Sequence, residues 1–276
     1  MMIRNRDNLR LIQPANPSPS RHQEGADIHC HCLAGIDDGP ADLDQAVELC
    51  RALVADGISR VVATPHQLGR YEGRNSAATI RRAVCELETT LAANGVPLTV
   101  LPGADVRVHE GIVDLLERDE ILTLADGGKY LLLELPTEVF LDLGPMVKQL
   151  HRSGITAVIS HPERHNILAH KPQAVAHWRL AGAVFQITAG SLVGTFGRSA
   201  QQAAWKWLDA GAVSLVATDA HSTTDRPPQM RQAVEAIAGR MGYLLAHRIC
   251  LQNPARVIEG RPLLTPISAA GLEGRA

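Results

Sequence analysis

Val158-Ile-Ser-His161-Pro-Glu-Arg164 is an apolar run that gives way abruptly to a histidine, a proline and two charged side chains. Short apolar runs of this kind read as buried strands, and the polar groups then fall at the carboxyl end. The same change recurs in Asp27-Ile-His29-Cys-His31, Val61-Val-Ala-Thr-Pro-His66, Gly103-Ala-Asp105, Leu131-Leu-Leu-Glu134 and Val216-Ala-Thr-Asp219-Ala-His221. In a parallel α/β barrel the carboxyl ends of the strands share one rim, where active sites are built. Polar residues scattered over two hundred positions are thereby brought to one place.

Working outward, seven runs are predicted to be strands: Ala26–Cys32, Ile58–Thr64, Leu98–Val106, Tyr130–Leu135, Ile155–Ser160, Ala183–Thr188 and Val213–Thr218. Segments of helical period separate them. Asp42–Ala55 gathers Leu43, Ala46, Val47, Cys50, Leu53 and Val54 on one face before Asp56-Gly57, and Ser76–Ala93 does so with Ile80, Val84, Leu87 and Leu91 before Asn94-Gly95. Further helices are predicted at Leu143–Arg152, Pro172–Leu180, Ser199–Ala210 and Pro228–Met241. Strands alternating with helices demand a parallel sheet, and the expected fold is a distorted TIM-like (β/α)7 barrel in a single domain.

A length of 276 residues suits one such unit. Residues 1–24 read as a leader, because Gln13-Pro-Ala-Asn-Pro-Ser-Pro-Ser20 resists helix and packed strand alike; the barrel is expected over 25–264, with a loose tail at 265–276. With 27 basic and 29 acidic side chains, net −2, no bulk field draws the chain to nucleic acid, and no apolar stretch of membrane-spanning length occurs. Five cysteines, an odd number lying mostly in apolar segments, fit reduced thiols and a cytoplasmic location.

Alternation along a strand turns His29 and His31 to one side, and Asp219 and His221 likewise, so each pair can grip an ion. Glu134 inside an apolar strand costs several kcal/mol unless compensated, and a divalent cation compensates it. Asp37-Asp38-Gly39 adds an oxygen donor in the loop after the first strand. Taken alone, a His-x-His pair matches many unrelated chains, and Asp219-Ala-His221 reads as a cap beside a solvated histidine. Occurrence of the whole set at successive strand ends is what points to a metal site.

In this order the motifs Asp27-Ile-His-Cys-His31, Gly35-Ile-Asp-Asp-Gly39, Ala63-Thr-Pro-His66, Gly103-Ala-Asp105, Leu133-Glu134, Ser160-His-Pro-Glu-Arg164, Ala217-Thr-Asp-Ala-His221, Arg226-Pro-Pro228 and Asn253-Pro254 resemble the polymerase-and-histidinol-phosphatase (PHP) superfamily. Within it, they are most similar to the metal-dependent protein-tyrosine phosphatases of bacterial capsule and exopolysaccharide operons, over Asp27 to about Glu259. The resemblance implies up to three divalent ions, usually Mn2+: His29, His31 and Asp219 on a first, Asp105 bridging to a second held by Glu134 and His161, and Asp38, His66 and His221 on a third. Imidazole with carboxylate also suits Fe2+ or Zn2+. Asp105 stands where related enzymes carry a glutamate, one methylene longer. The implied reaction is hydrolysis of phosphotyrosine by a metal-activated hydroxide, with Arg164 and Arg226 as catalytic arginines gripping the phosphoryl group. The implied substrate is a tyrosine-phosphorylated autokinase of polysaccharide export.

Three other readings compete. A histidinol-phosphate phosphatase or another small-molecule phosphoesterase of the same superfamily shares the ligand set, but Asp37-Asp-Gly39 and Arg226-Pro-Pro228 favour the tyrosine phosphatases. A non-catalytic, metal-binding regulatory partner keeps the metal without turnover. A cysteine phosphatase is suggested by Cys250-Leu-Gln-Asn-Pro-Ala-Arg256, yet this stretch has no glycine, and Pro254 removes a backbone N–H that such a phosphate loop needs.

Overall fold

Where seven runs are predicted to be strands, nine short parallel strands occur among the described residues, because the run Leu98–Val106 is broken in two and the run Ile58–Thr64 is followed, past a break, by a further two-residue strand. A computed structural model of the chain describes residues 25–136, 139–168 and 171–265. The expected leader and residues 266–276 of the expected tail lie outside this set. The strands are β1 Gly25–Cys30, β2 Ile58–Ala63, β3 His66–Gln67, β4 Thr99–Pro102, β5 Asp105–Arg107, β6 Tyr130–Glu134, β7 Thr156–Ser160, β8 Val184–Thr188 and β9 Leu215–Ala217. They form one sheet in the order β1-β2-β4 and another in the order β3-β5-β6-β7-β8-β9, every pairing parallel.

Both breaks have a local cause. Pro65 lies between β2 and β3 and has no N–H for a ladder. Its neighbour Thr64 donates its N–H to the Cys30 carbonyl at 2.8 Å, whereas the Pro65 carbonyl accepts from Asp105 N at 3.2 Å. Gly103 lies between β4 and β5, and a Cβ there would be 2.5 Å from Val62 Cγ1, so only glycine permits the approach. β2 and β4 thus continue into the second sheet as β3 and β5, each re-aimed, and the expected single strand Leu98–Val106 is two.

At the other seam, β1 meets the end of β9 through one bridge, Cys30 with Ala220. Asp219 N donates to His29 O at 2.7 Å and His31 N to Ala220 O at 2.8 Å. The ladder therefore does not run unbroken around the strands, and in that sense the barrel is distorted. Asp27 staples this seam. Fully buried, it accepts hydrogen bonds from Thr218 N at 3.0 Å and from the Thr218 hydroxyl. Burial pushes its carboxyl up to about 6, against the pull of the Thr218 hydrogen bonds.

The predicted helices are present with small shifts. Leu43–Ala55 and Ala77–Ala93 are capped by Asp42 and Ser76, whose side chains accept from Gln45 N and Thr79 N, and both end before a glycine of positive φ two residues on. Helices also occupy Gly144–Arg152, Pro172–Leu180 and Gly197–Asp209. The helix expected from Pro228 begins at Met230, where the Asp56 carboxylate of a distant loop accepts from Met230 N at 2.5 Å and Arg231 N at 3.2 Å. The short helices Ile112–Glu117 and Ala189–Val193 escaped prediction, being too brief to show a period. Thr265, placed in the tail by sequence, is tied down: its carbonyl accepts from Arg248 at 2.7 Å.

The larger apolar cluster, including Leu49, Leu53, Ile80, Leu87, Ile159, Phe185 and Trp178, fills the space between strands and helices. A smaller one contains Ile28, Val62, Leu132, Val158 and Ala217. Leu132 and Ala217 precede Glu134 and Asp219 by two residues and Val158 precedes His161 by three, so they form the apolar floor one layer beneath the site. Among the described residues no helix is long and apolar enough to cross a membrane.

Replacing Thr218 by valine keeps the shape but removes the hydroxyl that Asp27 accepts from. The expected result is a loss of about 1–3 kcal/mol in unfolding free energy, read by urea denaturation.

Candidate metal centre

All nine side chains expected as ligands converge at the carboxyl ends of the strands. His29 and His31 come from β1 and the residue after it, His66 from β3, Asp105 from β5, Glu134 from β6, His161 from just past β7, and Asp219 and His221 from just past β9. Asp38 arrives on the loop after β1. His161 and Asp219 hold φ of 32° and 52°, a region non-glycine residues seldom adopt, and this turn at the strand end aims both side chains inward.

Four sets have candidate ligand atoms within 4.8 Å of one another: His29, His31 and Asp219; His29, Asp105 and His161; His66, Asp105 and Glu134; and His31, Asp38, His66 and His221. Asp219 Oδ1 lies 3.2 Å from His29 Nε2 and 3.5 Å from His31 Nε2. Asp38 Oδ1 lies 3.5 Å from both His66 Nε2 and His221 Nε2. Asp105 Oδ2 is within 3.6–3.7 Å of His29 Nε2, His66 Nδ1 and His161 Nε2, so the shorter aspartate still reaches the middle of the cluster. The grouping differs from the one the resemblance implies. Glu134 and His161 fall in separate sets joined through Asp105, the first with His66 and the second with His29, and His31 joins the Asp38 set.

The electrostatics fit cations. Burial disfavours the charged form of Asp105, yet His29, His161 and His66 hold its carboxyl below the usual range. Asp219 is likewise held well below, Arg164, His29 and Arg226 outweighing burial. Burial and the nearby Arg164 push the His161 imidazole down to about 4, and burial with His221 and His66 lowers His31, so both rings are neutral near pH 7 with a lone pair to give. Both oxygens of Asp105, His66 Nδ1 and His221 Nε2 are buried without a hydrogen-bond partner. Orphaned polar atoms of this kind are costly, and divalent ions between them would satisfy all four. The donor set therefore fits the implied metals.

Around this cluster lies a cleft of about 300 Å³, bordered by Arg70, Tyr71, Arg107, Arg164 and Arg226 among others. Arg164 and Arg226 both donate to Asp219 Oδ2, the latter at 2.6 Å, and their guanidinium carbons lie 4.5 and 5.7 Å from the Phe196 ring centre. Tyr71 stacks on His66 with centroids 5.5 Å apart, and Arg70 bonds Asp38 Oδ2 at 2.8 Å. The sequence reading named neither Phe196 nor Arg107, whose guanidinium bonds Leu135 O at 2.7 Å and lies 3.3 Å from Glu134. Arg107 had a signal, standing two residues after Asp105 in the strand. Phe196 had none, since it arrives on a loop after a short helix. Cys250 is buried in the main core, and burial pushes its thiol far up, which disposes of the cysteine nucleophile. All five cysteines are free.

A parallel α/β fold whose strand ends gather imidazoles and carboxylates under an arginine-lined cleft is the layout of a metal-dependent hydrolase. Its sequence matches the CpsB/CapC family of capsular polysaccharide synthesis over residues 25–259, and the chain belongs to that family. It is 34% identical to the tyrosine-protein phosphatase YwqE of Bacillus subtilis over 81% of this chain and 87% of the relative. It is 31% identical to the putative tyrosine-protein phosphatase CapC of Staphylococcus aureus, over 75% of this chain and 80% of the relative. A crystal structure from the pair YwqE of B. subtilis and CpsB of Streptococcus pneumoniae, described as metal-dependent tyrosine phosphatases, superposes with a TM-score of 0.82 at 30% identity, covering 87% of this chain and 98% of that one.

Full-length protein stripped with chelator and reloaded with Mn2+ is expected to gain thermal stability, about 2.7 kcal/mol when the ion is at a hundred times its Kd. Asp105→Ala removes the carboxylate common to two sets. It should lower the number of ions per chain by elemental analysis and shrink that gain.

Proposed function

We propose that the chain is a metal-dependent protein-tyrosine phosphatase of the cytoplasm, working with Mn2+ on a tyrosine-phosphorylated autokinase of polysaccharide export and so regulating capsule or exopolysaccharide synthesis. The observation that carries this reading is the shared anchorage of Arg164 and Arg226 on Asp219, which sets two guanidinium groups directly beside the ligand cluster. Family membership supports the reading independently.

Divalent ions held by His29, His31, Asp38, His66, Asp105, Glu134, His161, Asp219 and His221 would supply a nucleophile at neutral pH and absorb charge developing on the phosphoryl oxygens. The arginines bind and orient the phosphoryl group. Each has N–H donors left beyond the bond to Asp219, and paired charge-assisted bonds from a guanidinium fork suit phosphate oxygens. Phe196 backs both guanidinium planes and limits their motion. The phenol of phosphotyrosine leaves with a pKa of about 10, so its departure requires less proton donation than an alkyl phosphate does.

Turnover of a phosphotyrosyl peptide and of an aryl phosphate should depend on added Mn2+, should be lost in His161→Ala, and should persist in Cys250→Ser. Arg164→Ala is expected to lower kcat/KM by about 10²–10³. Preference for histidinol phosphate over the peptide would shift the assignment to the small-molecule branch; bound metal without turnover on any phosphoester would favour a regulatory partner.

A further inference from the structure

His31 and His29 each present Nε2 toward Asp219 and turn Nδ1 away, to the rear of the cluster. Behind His31 stands Asp37, its side chain fully buried, with Oδ2 at 2.6 Å from Nδ1. The same carboxylate accepts His66 N at 3.0 Å and Gly39 N at 3.1 Å. With backbone N–H groups on both oxygens, the carboxylate is the acceptor toward the ring, and the hydrogen of neutral His31 lies on Nδ1. The loop holds Asp37 against the ring tightly: a Cβ on Gly39 would lie 2.3 Å from the His31 carbonyl oxygen. Asp37 and Asp38 are adjacent yet face opposite ways, Asp38 into the cleft and Asp37 behind it.

Behind His29 stands Gln186 of β8, fully buried, with Oε1 at 2.9 Å from Nδ1. An amide oxygen there accepts the ring hydrogen and frees Nε2, which lies 3.3 Å from His31 Nε2. A reversed amide would do the opposite and point a hydrogen at that neighbour, so the amide's direction is testable.

We infer that Asp37 and Gln186 are positioning residues that hold His31 and His29 in the Nδ1–H tautomer, so that both Nε2 lone pairs face one cation shared with Asp219. This rests on the metal reading above, although neither residue belongs to any ligand set. Partners of this kind fix ring orientation and raise ligand basicity.

The test uses the full-length chain with ¹⁵N-labelled histidine. Long-range ¹H–¹⁵N spectra of metal-free protein report which ring nitrogen carries hydrogen, and titration with Zn2+ alone gives affinity. In the wild type both rings are expected as Nδ1–H. Gln186→Leu should release His29 into a tautomer mixture and weaken Zn2+ binding about 10–100-fold, and Gln186→Glu, an acceptor at the same place, should restore both. Asp37→Asn is expected to weaken Zn2+ binding in the same direction; should it fail to fold, the Gln186 pair decides. Wild-type protein that takes up no Zn2+ overturns the metal reading and this inference with it. Wild-type uptake with Nε2–H rings, or with Gln186→Leu unchanged in tautomer and affinity, overturns this inference alone.

Discussion

At the centre of the ligand cluster sits a carboxylate, Asp105, with no access to solvent and no hydrogen-bond donor on either oxygen. Such a group is among the most expensive things a protein interior can contain, and an isolated one would take up a proton or drive the site open. Three imidazoles surround it instead, each within 3.7 Å, and two of the same ring nitrogens also face other carboxylates: His29 Nε2 lies 3.2 Å from Asp219 Oδ1, and His66 Nδ1 lies 3.6 Å from Glu134 Oε2. Ring nitrogens and carboxylate oxygens are thus crowded around common points, an arrangement that shared cations would satisfy. The strand breaks, the strained strand ends and the floor of Leu132, Val158 and Ala217 all serve to hold these groups at that spacing.

Asp219 couples the two halves of the chemistry. One oxygen lies against His29 and His31, and the other accepts from both Arg164 and Arg226. The arginines are thereby located by the same side chain that faces the candidate cation. A guanidinium on a flexible stem would otherwise sample a wide volume, and the Phe196 ring with the carboxylate removes most of that freedom before any phosphate arrives.

Much of this was legible in the sequence because strand ends announce themselves: an apolar run stops and a ligand follows. His29, His31, His66, Glu134, His161 and Asp219 were readable for that reason. The break at Gly103 was not, since Leu98–Val106 looks continuous in sequence even where its ladder changes sheet, and the strand His66–Gln67 past Pro65 is too short to show an alternation. Asp37 and Asp38 show another limit, because composition offers two equivalent carboxylates and only the path of the loop decides that one backs His31 and the other faces the cleft. Gln186 did leave a trace, an amide inside Ala183-Val-Phe-Gln-Ile-Thr188, but an acceptor for a ring nitrogen has no spacing rule. Phe196 depends on tertiary packing alone.

The seam between β1 and the end of β9 joins positions 191 residues apart, and Asp27 with Thr218 closes it. Loop closure over such a span comes late, after local strand and helix pairs have formed. During synthesis, then, His29 and His31 leave the ribosome long before the carboxylate they share, and the assembly of the site waits on the docking of the last strand among the described residues against the first. A chain interrupted before Thr218 would still carry His29, His66, Asp105, Glu134 and His161 but would lack Asp219 and His221, and with Asp219 the anchor that locates Arg164, so that an almost complete chain would hold an incomplete centre.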